Sequence, residues 1–77
     1  MVTIEFIYHQ IITTIPAKLS DLFRNVIDKF NQRNQIPQDS VYFIINGMLI
    51  KPERTVENYM RDRDKIEGKM KILVVDI

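Results

Sequence analysis

Seventy-seven residues with a formal net charge of +1 and no cysteine suffice for one domain, spanning 1–77, whose core is near the lower limit for folding without disulfides or metal. Disulfides and thiolate metal centres are excluded, and the charge balance supplies no basic face or stripe of the kind that binds nucleic acid. No apolar run approaches the ~20 residues of a membrane span, and the amino terminus lacks the basic-then-apolar pattern of a signal peptide, so the expected setting is cytoplasmic, nuclear or both, away from membranes.

In chain order, Val2, Ile4, Phe6 and Tyr8 alternate with Thr3, Glu5 and Ile7, which predicts a strand with one apolar face. His9 falls in the hairpin turn that follows. Residues 11–17, Ile-Ile-Thr-Thr-Ile-Pro-Ala, are β-branched enough to be its partner. Pro16 cannot donate to a ladder and places this second strand at a sheet edge.

A helix is predicted next, with Ser20 as N-cap and Asp21 as a favourable negative charge in the first turn. Leu22, Phe23, Val26, Ile27 and Phe30 form one apolar stripe, opposite Arg24, Asn25, Asp28, Lys29 and Gln32. The helix should run to about Asn34, because Pro37 biases Ile36 toward extended backbone.

The third strand, Val41–Ile45, is followed by Asn46-Gly47, a pair that tolerates the positive φ of a tight hairpin. The chain should therefore fold back through Met48, Leu49 and Ile50 until Pro52 ends the pairing. Val56 and Tyr59 are the expected inward anchors of the polar stretch that follows. Arg61–Lys69 reads as a solvated loop of mixed charge. The last strand carries Met70, Ile72 and Val74 on one side and Leu73 and Val75 on the other.

The third and last strands are thus apolar on both faces, since side chains alternate across a strand. One helix covers only one face of a sheet. Phe23, Val26, Phe30, Phe43 and Ile45 are expected in the core. If the two strands are neighbours, Tyr42, Ile44, Leu73 and Val75 form a contiguous apolar patch on the other face, and patches of this kind on small monomers are more often binding sites than accidents.

The succession of residues resembles ubiquitin over nearly the whole chain. In "IPQDSVYFIINGMLIKPERTVENY" the identities are Ile36, Pro37, Asp39, Ile44, Gly47, Arg54, Thr55 and Tyr59. Ser20, Asp21, Asn25, Val26 and Lys29 match in the helix, and no gap is needed from Ser20 to Tyr59. The resemblance implies an α+β fold, the ubiquitin-like β-grasp: a mixed four- to five-stranded sheet with one α-helix packed across one face. It places Ile44 at the centre of the surface that ubiquitin-binding domains and proteasomal receptors grip, with Gly47 matching there too. Leu73 falls where ubiquitin carries the valine of that surface if the last strand is aligned through Met70 and Ile72. Tyr42 and Met48 replace an arginine and a lysine, so this surface is the more apolar. Met48 and Arg63 occupy positions of ubiquitin's main chain-forming lysines, about three extra residues precede the last strand, and the chain ends Val-Val-Asp-Ile instead of in Gly-Gly. The expectation is a ubiquitin-like domain of a larger protein. A covalent modifier without its processed tail is the alternative, and a PB1-type charge-pairing oligomerisation domain, suggested by the acidic cluster of Asp62, Asp64 and Glu67, is the third.

No Ser-His-Asp set, Gly-rich phosphate loop or pocketed pair of carboxylates is present to suggest catalysis. His9 stands alone, and Asp62, Asp64 and Glu67 are neutralised by Arg61, Arg63, Lys65 and Lys69, so no metal and no cofactor is expected. The function expected is non-catalytic recruitment of a host protein by a monomeric domain that binds other proteins. Its partner-binding residues would be Tyr42, Ile44, Gly47, Met48, Lys71, Leu73 and Val75.

Overall fold

The alternation in the first residues produces a strand, β1 (Val2–Tyr8), that turns back into β2 (Ile11–Ala17) through only His9 and Gln10. Both turn residues have positive φ, 50° and 65°, the handedness that lets a two-residue hairpin follow the strand twist. The computed structural model describes residues 1–77. Its other elements are α1 (Phe23–Asn34), β3 (Val41–Ile45), β4 (Met48–Leu49), α2 (Val56–Tyr59), α3 (Asp62–Glu67) and β5 (Lys69–Asp76). The five strands form one mixed sheet in the order β2-β1-β5-β3-β4, with β1 and β5 parallel and the other neighbours antiparallel. This is the β-grasp arrangement, and Pro16 is on an edge strand as its missing donor requires.

α1 lies across one face and buries Phe23, Val26, Ile27 and Phe30. Its start differs from expectation. Ser20 does not cap it: Leu22 holds the N-cap position without a side-chain bond and is itself exposed, and no acidic residue lies in the first turn. The first free amides are satisfied from a distance, Phe23 N–H donating to the Arg54 carbonyl and Arg24 N–H to that of Pro52, each at 2.9 Å. The Asp21 carboxylate instead accepts from Lys18 N–H at 2.9 Å, closing the preceding turn. At the other end Gln35 adopts left-handed backbone, while Ile36 N–H reaches the Asn31 carbonyl and Gln35 N–H that of Gln32. These two bonds are the pair that terminates a helix with a single left-handed residue.

The core consists of seventeen buried side chains, all apolar. At its centre Phe6 stacks on Phe30 with ring centroids 4.5 Å apart, and Phe43 meets both rings edge-on at 5.8 Å. Phe43, expected in the core, is only partly buried. It sits where β4, two residues long, has already ended, so one edge of its ring is open.

Asn46 and Gly47 make the predicted turn with φ of 52° and 79°. Pairing then stops at Leu49, sooner than expected. Ile50 is buried beyond the strand, its N–H donating to the Phe43 carbonyl at 2.9 Å. Val56 is fully buried and Tyr59 packs edge-on against Phe23, with its hydroxyl accepting from Lys51 N–H.

The segment Arg61–Lys69, expected to be a loop, contains α3. Arg61 N–H donates to the Asp64 carboxylate at 3.0 Å, Arg63 bonds to Glu67 at 3.1 Å one turn on, and Gly68, with φ of 73°, ends the helix. None of its residues is buried, so its order comes from local caps and charge pairing. α2 is likewise a helical turn that apolar periodicity does not reveal, held by Thr55 N–H donating to Asn58 Oδ1.

Candidate functional site

The strand register decides what lies on the sheet face away from α1. Phe6, Ile72, Val74 and Ile45 turn toward the helix and are buried, so their sequence neighbours point outward. Ile12 pairs with Ile7, Ile7 with Leu73, Leu73 with Ile44, and Ile44 with Leu49. A single row of branched aliphatic side chains therefore crosses all five strands. Directly paired residues on one face are within contact of each other, so the row is continuous. Tyr42 pairs with Val75 and adds a second, shorter row beside it. Leu73 is 50% exposed and Tyr42 44%.

Four of the expected partner-binding residues, Tyr42, Ile44, Leu73 and Val75, are thus brought together. Lys71 pairs with Glu5 immediately beside the row and forms its charged rim. Gly47 sits at the tip of the β3–β4 turn with open space around its Cα. Met48 is the exception to the grouping: it pairs with Ile45 rather than Ile44 and so occupies the other side of the ladder, exposed at the rim. Residues missed from the sequence are Ile7, Ile12 and Leu49. The alternation of β1 already turned Ile7 outward, but only the parallel β1–β5 pairing shows that Ile7 meets Leu73.

At one end of the sheet, three polar side chains tie the β1–β2 turn to the end of β5. The Tyr8 hydroxyl donates to Asp76 Oδ1, and His9 Nε2–H donates to Asp76 Oδ2 at 2.7 Å. The Tyr8 and His9 rings stack at 3.9 Å. The Tyr8 hydroxyl, followed by His9, holds the Asp76 carboxyl below its ordinary 3.8, and the same bond raises the Tyr8 phenol above 10.0. His9 is an exposed turn residue as expected, but its acidic partner comes from a strand 67 positions away.

The sign of the pH effect follows from linkage. Asp76 contributes stability above its unfolded pKa and loses it as pH falls through the lower folded value, whereas Tyr8 contributes below its unfolded pKa and loses it as pH rises through the higher folded value. Asp76→Asn should therefore flatten the stability profile at both extremes, below about pH 4 and above about pH 10. Denaturant melts across pH should show wild type and variant converging at the acid end. Profiles that stay parallel would mean the bonds do not form.

No group of three or more His, Cys, Asp or Glu side chains converges to hold a metal ion. Asp64 and Glu67 are engaged by Arg61 and Arg63 within α3. No helix is long and apolar enough to cross a membrane.

The element order and the helix across a mixed sheet define a ubiquitin-like domain, a class that is generally non-catalytic. Residues 13–68 match the family model described as ubiquitin-2 like Rad60 SUMO-like, and the chain belongs to that family. No curated protein matches the chain.

Proposed function

We propose that this domain is a non-catalytic interaction module that recruits a larger host protein to ubiquitin-receptor or proteasome-type partners through the sheet face away from α1. The observation that carries the reading is the unbroken row Ile12–Ile7–Leu73–Ile44–Leu49, with Tyr42 and Val75 beside it. Burying such side chains against a partner gains ~1.5–3 kcal/mol each, before the cost of lost translational and rotational freedom. A face this small belongs to weak, transient complexes, with affinities of order micromolar. The domain works as a monomer in the cytosol or nucleus, a setting compatible with a chain that has no cysteine.

The test is titration against a panel of ubiquitin-binding domains and proteasomal receptors. Ile44→Ala and Leu73→Ala should each weaken the best binder about tenfold or more, with melting nearly unchanged. Binding that survives both substitutions, or a panel in which nothing binds, would remove the reading.

A further inference from the structure

A second surface lies on the opposite side of β3, where α1 and the sheet part. Its floor is the open edge of Phe43 together with Ile27 and Ile50, and its walls are a stripe of α1 on one side and the 38–39 and 52–53 segments on the other. Tyr42 borders both surfaces; the groove shares no other residue with the outward row.

Three observations give it a chemistry. The rim carries Asp28, Asp39 and Glu53 against a single cation, Arg24. All four ion pairs of the molecule lie elsewhere, so these carboxylates have no internal counter-charge at contact. Asn31, on the same helical stripe, has its Oδ1 shielded from solvent with no donor in reach. The charged groups around this apolar floor are thus three carboxylates to one cation, with the neutral Asn31, Gln38 and Tyr42 between them.

The backbone adds the third. β4 pairs with β3 only at Ile44 and Ile45, and Ile50 N–H takes the Phe43 carbonyl. The Val41 end of β3 has no strand beside it on the groove side, although it is paired with β5 on the other. An unpaired strand edge accepts an extended segment through main-chain hydrogen bonds.

We infer that this groove binds an extended basic segment of a partner protein. Such a segment would lie along the free end of β3, with the alkyl stem of a lysine or arginine on Phe43, Ile27 and Ile50 and its charged head among Asp28, Asp39 and Glu53. Basic side chains suit such a site because their stems bury while their heads stay at the polar rim. A short floor and an exposed rim imply a weak, salt-sensitive contact.

The probe is a capped five-residue peptide of alternating valine and arginine, titrated into the 15N-labelled domain, with a valine–glutamate peptide as its counterpart. Saturable shifts should appear at Asp28, Asp39, Val41 and Phe43 with a Kd below about 1 mM, weaken as salt is raised, and be absent with the acidic peptide. The double variant Asp28→Lys, Asp39→Lys should keep a dispersed spectrum and lose at least tenfold in affinity, while Ile44→Ala should bind the peptide as wild type does. That last arm separates this site from the outward row. Equal binding of the two peptides, shifts centred on Ile7 and Leu73 or on the β2 edge, self-association in place of peptide binding, or undiminished affinity in the folded double variant would each overturn the inference.

Discussion

Replacing Phe30 by alanine should cost ~3–5 kcal/mol, among the largest losses expected from any single truncation in this chain. Phe30 is fully buried, stacks on Phe6, and meets Phe43 and Tyr8 edge-on at 5.8 and 6.3 Å. It therefore joins α1 to the interior strand β1 and to β3 at once. The ring is enclosed on all these sides, so a cavity term adds to the lost transfer energy. Small domains have total stabilities of ~5–15 kcal/mol, and this one lies at the low end by size. Phe30→Ala should consequently leave a population partly unfolded at 25 °C, visible as lost amide dispersion and a denaturant midpoint near zero. A loss under about 1 kcal/mol would contradict the packing described.

The second large effect is a contrast between adjacent residues of β5. Ile72 is 0% exposed and faces α1, whereas Leu73 is 50% exposed on the other face. Ile72→Ala should cost ~2–5 kcal/mol, and Leu73→Ala less than about 1 kcal/mol, although the two substitutions remove similar volumes. Chemical denaturation of the two variants side by side decides it. Equal losses would mean that the outward row is covered by something in the folded chain, and the surface would no longer be available to a partner.

What was legible in the sequence was the information carried by periodicity over long segments. The helical stripe from Phe23 to Phe30, the two-faced strands and the Asn46-Gly47 turn all appear where the residue pattern puts them, because each depends on neighbours close in sequence. The misplacements have two causes, one non-local and one local but without an apolar pattern. Ser20 is a good capping residue, yet the helix begins three positions later because carbonyls of Pro52 and Arg54 satisfy its first amides. α3 has no buried residue, and its one large apolar side chain, Ile66, is 86% exposed, so no apolar rhythm marks it. The candidate surface was half visible for the first, non-local, reason. Tyr42, Ile44, Leu73 and Val75 can be grouped by assuming that β3 and β5 are neighbours, but Ile12 and Leu49 join them only through the register of three further strand pairs. The groove beside Phe43 was invisible, since it depends on where a two-residue strand stops.

The parallel pairing of β1 with β5 carries a consequence for how the domain comes into being. The middle of the sheet is built from the first seven and the last eight residues of its elements, with Ile4 beside Met70 and Phe6 beside Ile72. A nascent chain lacking β5 has a β1–β2 hairpin, α1 and a β3–β4 hairpin, but no backbone pairing between the two hairpins, because β1 and β3 are not neighbours in the sheet and meet only through side chains. Isolated hairpins are marginal in water, and contacts so far apart in sequence bear the full loop-closure cost before they return anything. The sheet is therefore completed only once β5 has emerged to pair with both β1 and β3. Until then the apolar flanks of both hairpins are open to whatever holds nascent chains.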